Sequence, residues 1–126
     1  MATEINESGY ETLRASVNSG VAAPDPWDYI ELIDDTGATE TRVSVSGDPR
    51  ASWTTTETDQ TQQVEITVTG ADADISTPVT ISGSALKASD SDSAPEKHRD
   101  TMSDAVLAED QDELIVRHNV EIPQVQ

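Results

Sequence analysis

The chain has 126 residues, with 25 acidic and 7 basic side chains, a formal net charge of −18, 34% hydrophobic residues and 3% aromatic ones. The absence of cysteine excludes disulfide frameworks, thiolate metal sites and cysteine nucleophiles. No basic stretch is dense enough to neutralise phosphates, and no apolar run approaches the ~18 residues of a membrane span. The opening MATEINESGYETLR also lacks the apolar stretch of a secretory signal, so neither nucleic acid nor membrane insertion is expected.

Ser8-Gly9-Tyr10-Glu11 fits a capping box, with Ser8 as N-cap and Glu11 at the third helical position. Tyr10, Leu13 and Val17 recur at helical spacing and Asn18-Ser19-Gly20 is a stop signal, which predicts a short helix over Gly9–Val17. Val21–Pro26 reads as a linker. The pattern then changes to period two. Trp27–Ile33 predicts a strand, Asp34–Gly37 a turn, Thr41–Ser46 a strand, Gly47–Pro49 a turn, and Ala51–Thr58 a strand with Trp53 inward. Gln62–Thr69 alternates most cleanly, with Val64, Ile66 and Val68 on one face. After a loop over Gly70–Ser76, Pro78–Ser82 predicts a short strand. Ser84–Asp100 is the least ordered-looking stretch, and Ala88–Pro95 within it reads as an exposed loop. A short strand over Asp104–Leu107 precedes a long final one, Glu113–Glu121, whose Leu114, Val116, His118 and Val120 share a face. Its apolar groups on both faces suggest a central place in a sheet or cover from another chain.

Six or seven short strands separated by turn residues, with one helix, predict an all-β chain. The expected form is an antiparallel β-sandwich (jelly-roll or Ig-like) or a small barrel with one short N-terminal helix. Residues 1–26 form the helix and linker and residues 27–126 the β-sandwich, a single domain overall. The acids are spread along the chain, lysine is almost absent and large hydrophobes are few. These features suit multimolar salt. At ~1 M the Debye length falls to ~3 Å, so the charge no longer drives the fold apart, and salt strengthens apolar burial.

No serine elbow, phosphate loop or catalytic set is legible, and an enzyme is not expected. His118 falls on an apolar face and is expected to be a satisfied or interface histidine. Asp72-Ala73-Asp74 begins like a calcium loop but lacks its central glycine, and Gly83 stands where the closing glutamate should be. Solvated acids are the leading expectation there and a structural Ca or Mg ion at Asp72 and Asp74 the alternative; no cofactor is expected. Lys97-His98-Arg99 is the one dense basic patch in an acidic chain. It reads either as a solvated turn before the strand at Asp104 or, with Arg117, His118, Ile122 and Val125, as the candidate interface, the basic triplet facing acids of a neighbouring copy.

Trp27-Asp28-Tyr29-Ile30-Glu31-Leu32, Asp35-Thr36-Gly37, Val64–Ser76 and Asp112–Val125 together resemble a class of small β-rich virion structural proteins of tailed viruses and proviruses of haloarchaea. The resemblance covers most of the chain, including the helix before the first strand, and rests on structural motifs with no catalytic residues among them. It implies a non-enzymatic virion subunit, assembled in the host cytoplasm. A capsid decoration or vertex turret is favoured over a tail-tip, baseplate or fibre component. The implied partners are other copies of the chain, other capsid or tail proteins and the host cell surface. A carbohydrate-binding adhesion module and a small hydrolase are further alternatives.

Overall fold

Eight strands and one helix account for the regular structure in a computed structural model that describes residues 3–22 and 24–122, with side chains from residue 5 onward. In chain order these are β1 (Thr3–Ile5), α1 (Glu7–Val17), β2 (Tyr29–Asp34), β3 (Thr39–Ser44), β4 (Ala51–Trp53), β5 (Thr61–Thr69), β6 (Val79–Lys87), β7 (His98–Leu107) and β8 (Glu113–Glu121). They form two antiparallel sheets, ordered β1-β7-β6-β2-β3 and β4-β5-β8. Neither sheet closes on itself, so the barrel alternative is not realised. Strands β2 and β3 are joined at Gly37, whose φ of 88° lies in the left-handed region that glycine adopts without a Cβ penalty.

Period-two alternation sends one face of each sheet into a shared core. The five-stranded sheet supplies Ile30, Leu32, Ile81 and Leu86, and the three-stranded sheet Val64, Ile66, Val68, Val116 and Val120. Each such side chain, fully buried, contributes about 1.5–3 kcal/mol. The registers put His98 beside Leu86 and Ile5, and Asp100 beside Ser84, on this inner face. Glu31, with Arg42 and Ala85 as its cross-strand neighbours, belongs to the outer face.

The helix begins earlier than the capping box implies. Its N-cap is Asn6, not Ser8, and makes no side-chain cap. The Asn6 amide instead donates to the carbonyl and carboxylate oxygens of Glu96, both at 3.0 Å, a tertiary contact that outcompetes the local cap. Gly9 lies so close to the Lys97 carbonyl that a Cβ there would stand 2.4 Å from its oxygen, which fixes where α1 rests on the sheet.

Three expectations are corrected in the middle of the chain. The strand over Ala51–Thr58 stops at Trp53, which is 39% exposed rather than inward, because Thr54 and Thr55 turn their hydroxyls onto Gln63 and Gln62. The short strands over Pro78–Ser82 and Asp104–Leu107 are the ends of two nine- and ten-residue strands that pair with each other. Ser84–Asp100 is therefore not a loop throughout: Ser84, Ala85, Leu86, Lys87, His98 and Asp100 are buried strand residues, and only the segment between them leaves the sheet. The final strand has the predicted bounds, but it is an edge strand, whose one ladder partner among the described residues is β5.

Candidate functional site

The densest polar chemistry in the interior lies where β8 meets β6 and β7. Ser84 Oγ is 2.6 Å from His118 Nδ1, and His118 Nε2 is 2.7 Å from His98 Nδ1. The two rings meet edge to face, 4.9 Å apart at 78°. Both histidines have no exposed surface, and Ser84 almost none. Two tautomer arrangements satisfy this chain: the hydroxyl donates to His118, which donates on to His98, or every donor is reversed. Burial first, and then His98, push His118 down to about 3, so it is neutral at neutral pH. Asp100 completes the cluster. Its Oδ2 accepts the Asn119 N–H at 3.4 Å, and its buried Oδ1 has no hydrogen-bond partner among the described residues. Burial pushes this carboxyl up, against the pull of the Asn119 N–H, of His98 and of the chain's amino group.

A hydroxyl on an imidazole that is oriented by a third group is the arrangement of an activated nucleophile. Here it is sealed inside the core, with no surface for a substrate to meet. Its chemistry as it stands is that of a hydrogen-bonded pin between two sheets. His118, expected to be a satisfied or an interface histidine, has both ring nitrogens hydrogen-bonded in the interior, while Ser84 and Asp100 escape a reading in which the strand stops at Ser82.

A second polar cluster lies on the outer face of the same sheet. Arg42 binds Glu31 at 2.9 Å, Asp90 at 3.2 Å and Asp92 at 2.6 Å, while Lys87 stands 3.5 Å from Glu31 and donates to the carbonyls of Ser91 and Asp92. Glu31, Lys87 and Arg42 are nearly or wholly buried, so the acidic Ala88–Pro95 loop is tied down from beneath. Asp92, bonded to Arg42, is held below the usual carboxylate range.

The remaining candidates take structural parts. Asp72 and Asp74 both accept from Arg50, at 3.1 and 2.8 Å, with Asp48 on the same guanidinium. Arg50 holds Asp74 down to about 2, against the push of burial. A cation at Asp72 and Asp74 would have to displace this guanidinium, and among the described residues no group of three or more metal-ligating side chains is assembled. Lys97 donates to the carbonyl and hydroxyl of Ser8, Arg99 pairs with Glu96 at 2.7 Å, and Arg117 with Glu65 at 3.0 Å. Since Arg14 binds Glu7, each of the seven basic side chains has a partner within the chain. The basic triplet is thus split by alternation: Lys97 secures the helix, His98 enters the core and Arg99 stays at the surface. Ile122 packs on the core, and Val125 lies outside the described residues.

At the end of the sandwich, Leu13, Trp27, Trp53, Gln62, Val120 and Ile122 line an open groove of about 160 Å³. Two of the chain's four aromatic residues meet there. Its one polar lining side chain is already used: Gln62 accepts from Thr55 and donates to the carbonyls of Thr56 and Asp59.

No protein family, curated protein or solved structure matches this chain.

Proposed function

We propose that this chain is a non-enzymatic structural subunit of a tailed-virus particle that works in multimolar salt, acting through contacts with copies of itself and with other particle proteins. The observation that carries this reading is the engagement of all seven basic side chains by partners within the chain. The surface left over is acidic, with exposed Val106 and Ile115. Contacts built on apolar groups survive concentrated salt, whereas exposed ion pairs between subunits are screened. The sealing of the Ser84–His118–His98 chain supports the non-enzymatic part of the reading.

A β-sandwich of jelly-roll or Ig-like kind is the finer reading of the two packed sheets. A station on the head, as decoration or turret, is favoured over tail tip, baseplate or fibre, because a single small domain suits a lattice surface and fibres usually show long repeats. The chain belongs, on this reading, to the virion and is assembled in the host cytoplasm. The Trp27 and Trp53 groove favours a second reading, an adhesion module that stacks a sugar ring on indole. The internal bonds of Gln62 count against it, since a sugar needs polar partners.

Sedimentation in ~2 M KCl tests the assembly reading. An oligomer that dissociates on deletion of Ile122–Gln126 is expected, with a melting temperature that rises steeply from ~0.1 to ~2 M salt. A monomer at high concentration that the deletion leaves unchanged, with a melting temperature flat in salt, would count against self-assembly and against the halophilic setting. Binding of a simple sugar that is lost in Trp53→Ala would favour the adhesion module.

A further inference from the structure

The two sheets are pinned together by hydrogen-bonded groups among which His98, His118 and Asp100 are the titratable ones. Ser84 comes from β6, His98 and Asp100 from β7, and His118 and the Asn119 N–H from β8. From β1, Ile5 is the cross-strand neighbour of His98, and from β5, Val64 is that of His118; both are buried and apolar. The nearby cations are turned away. Arg99, between His98 and Asp100 in β7, pairs with Glu96, while Lys87 and Arg42 gather around Glu31 on the other face. Among the described residues the carboxylate of the cluster is Asp100, whose Oδ1 has no hydrogen-bond partner among them. The chain's amino group also acts on Asp100.

We propose that the Ser84–His118–His98 chain, with Asp100 beside it, is a proton-operated latch that holds β8 against β6 and β7 when neutral and releases it when protonated. The physical reason is desolvation. An imidazolium in this apolar seam has lost its water, and separating β8 from β6 and β7 returns it. Opening and proton uptake are therefore coupled. The pairing of β2 with β3 and β6 has no titratable side chain on its inner face among the described residues, where Ile30 and Leu32 stand and Ser84 is the cross-strand neighbour of Leu32, so it persists when the seam opens. Below pH 6.5, the ordinary value of the imidazole, the open form binds the proton that the closed form refuses. Asp100, raised by burial, works in the opposite sense, since a proton relieves its buried charge.

The test is hydrogen exchange of the full chain in ~2 M KCl, read segment by segment as protection factors at pH 7.5 and pH 5. In β8 and at residues 98–102, protection should fall up to about tenfold per pH unit below 6.5 for each proton taken up, while β2 and β3 keep theirs. In the double variant His98→Gln and His118→Gln this pH dependence should vanish. A double variant that keeps it would overturn the latch. Should the double variant not fold, the unaltered chain decides alone: loss of protection confined to the seam supports the latch, and uniform loss across both sheets contradicts it.

Discussion

The five-stranded sheet buries polar groups on both faces and does so in opposite ways. On the inner face, its Ser84 and His98 join His118 of the facing sheet in a hydrogen-bonded chain, neutral at His118, among aliphatic side chains. On the outer face, one turn of the alternation away, Glu31, Arg42 and Lys87 form a charged cluster covered by an acidic loop. The neutral chain needs no counter-charge but is vulnerable to protons. In the charged cluster each member depends on the others. The contrast shows how a chain with few large hydrophobes can fix its parts: the inner chain aligns the two sheets, and the outer cluster holds a segment that has almost no apolar residues of its own.

Removing a charge from the outer cluster should have the largest effect. Arg42→Ala leaves the buried Glu31 with Lys87 as its cation and the Thr39 hydroxyl, and frees Asp90 and Asp92, so a loss of about 3–5 kcal/mol is expected in urea unfolding, with early proteolysis at Ala88–Pro95. A loss under about 1 kcal/mol would mean that the cluster is not a buried one in solution. On the inner face, Ser84→Ala should cost about 1–3 kcal/mol, since it leaves a buried imidazole nitrogen unpaired. Acid comes next. With His118 at about 3 when folded and 6.5 when free, the unfolded chain binds the proton first, so stability is lost as pH falls below 6.5. Between pH 7 and pH 5 the loss should be about 2 kcal/mol in unfolding free energy. Asp74, held down to about 2, adds its own loss only below its ordinary 3.8. The smallest change is expected at Arg14→Ala, which breaks an exposed pair with Glu7 and should stay within about 0.5 kcal/mol.

How much of this was legible in the sequence follows from which signal each part sends. The alternation of Val64, Ile66 and Val68, and of Leu114, Val116, His118 and Val120, gave β5 and β8 nearly residue for residue. The stretch Ser84–Asp100 was misread because its strand halves are filled with serine, lysine, histidine and aspartate, residues that suggest exposure when the partners that satisfy them are unseen. The apolar face of β8 marks His118 as satisfied or at an interface without naming its partner, since Ser84 is 34 positions away on a strand predicted to end two residues sooner. The capping box at Ser8 failed for a similar reason: a distant glutamate captured Asn6, and a helix start was set by tertiary contact. Trp53 was placed inward by alternation alone, and the strand ended before enough neighbours gathered to cover it.

The contrast between a neutral inner chain and a charged outer cluster is tested most directly by following the carbon-bound ring protons and ring nitrogens of the chain's two histidines by NMR in ~2 M KCl, from pH 8 to pH 4. His118 should show the neutral ring as long as the protein is folded, with no titration near 6.5, and should become charged only together with the loss of seam structure. A smooth titration of both rings near their ordinary value, with the fold intact, would contradict a sealed neutral chain between the sheets.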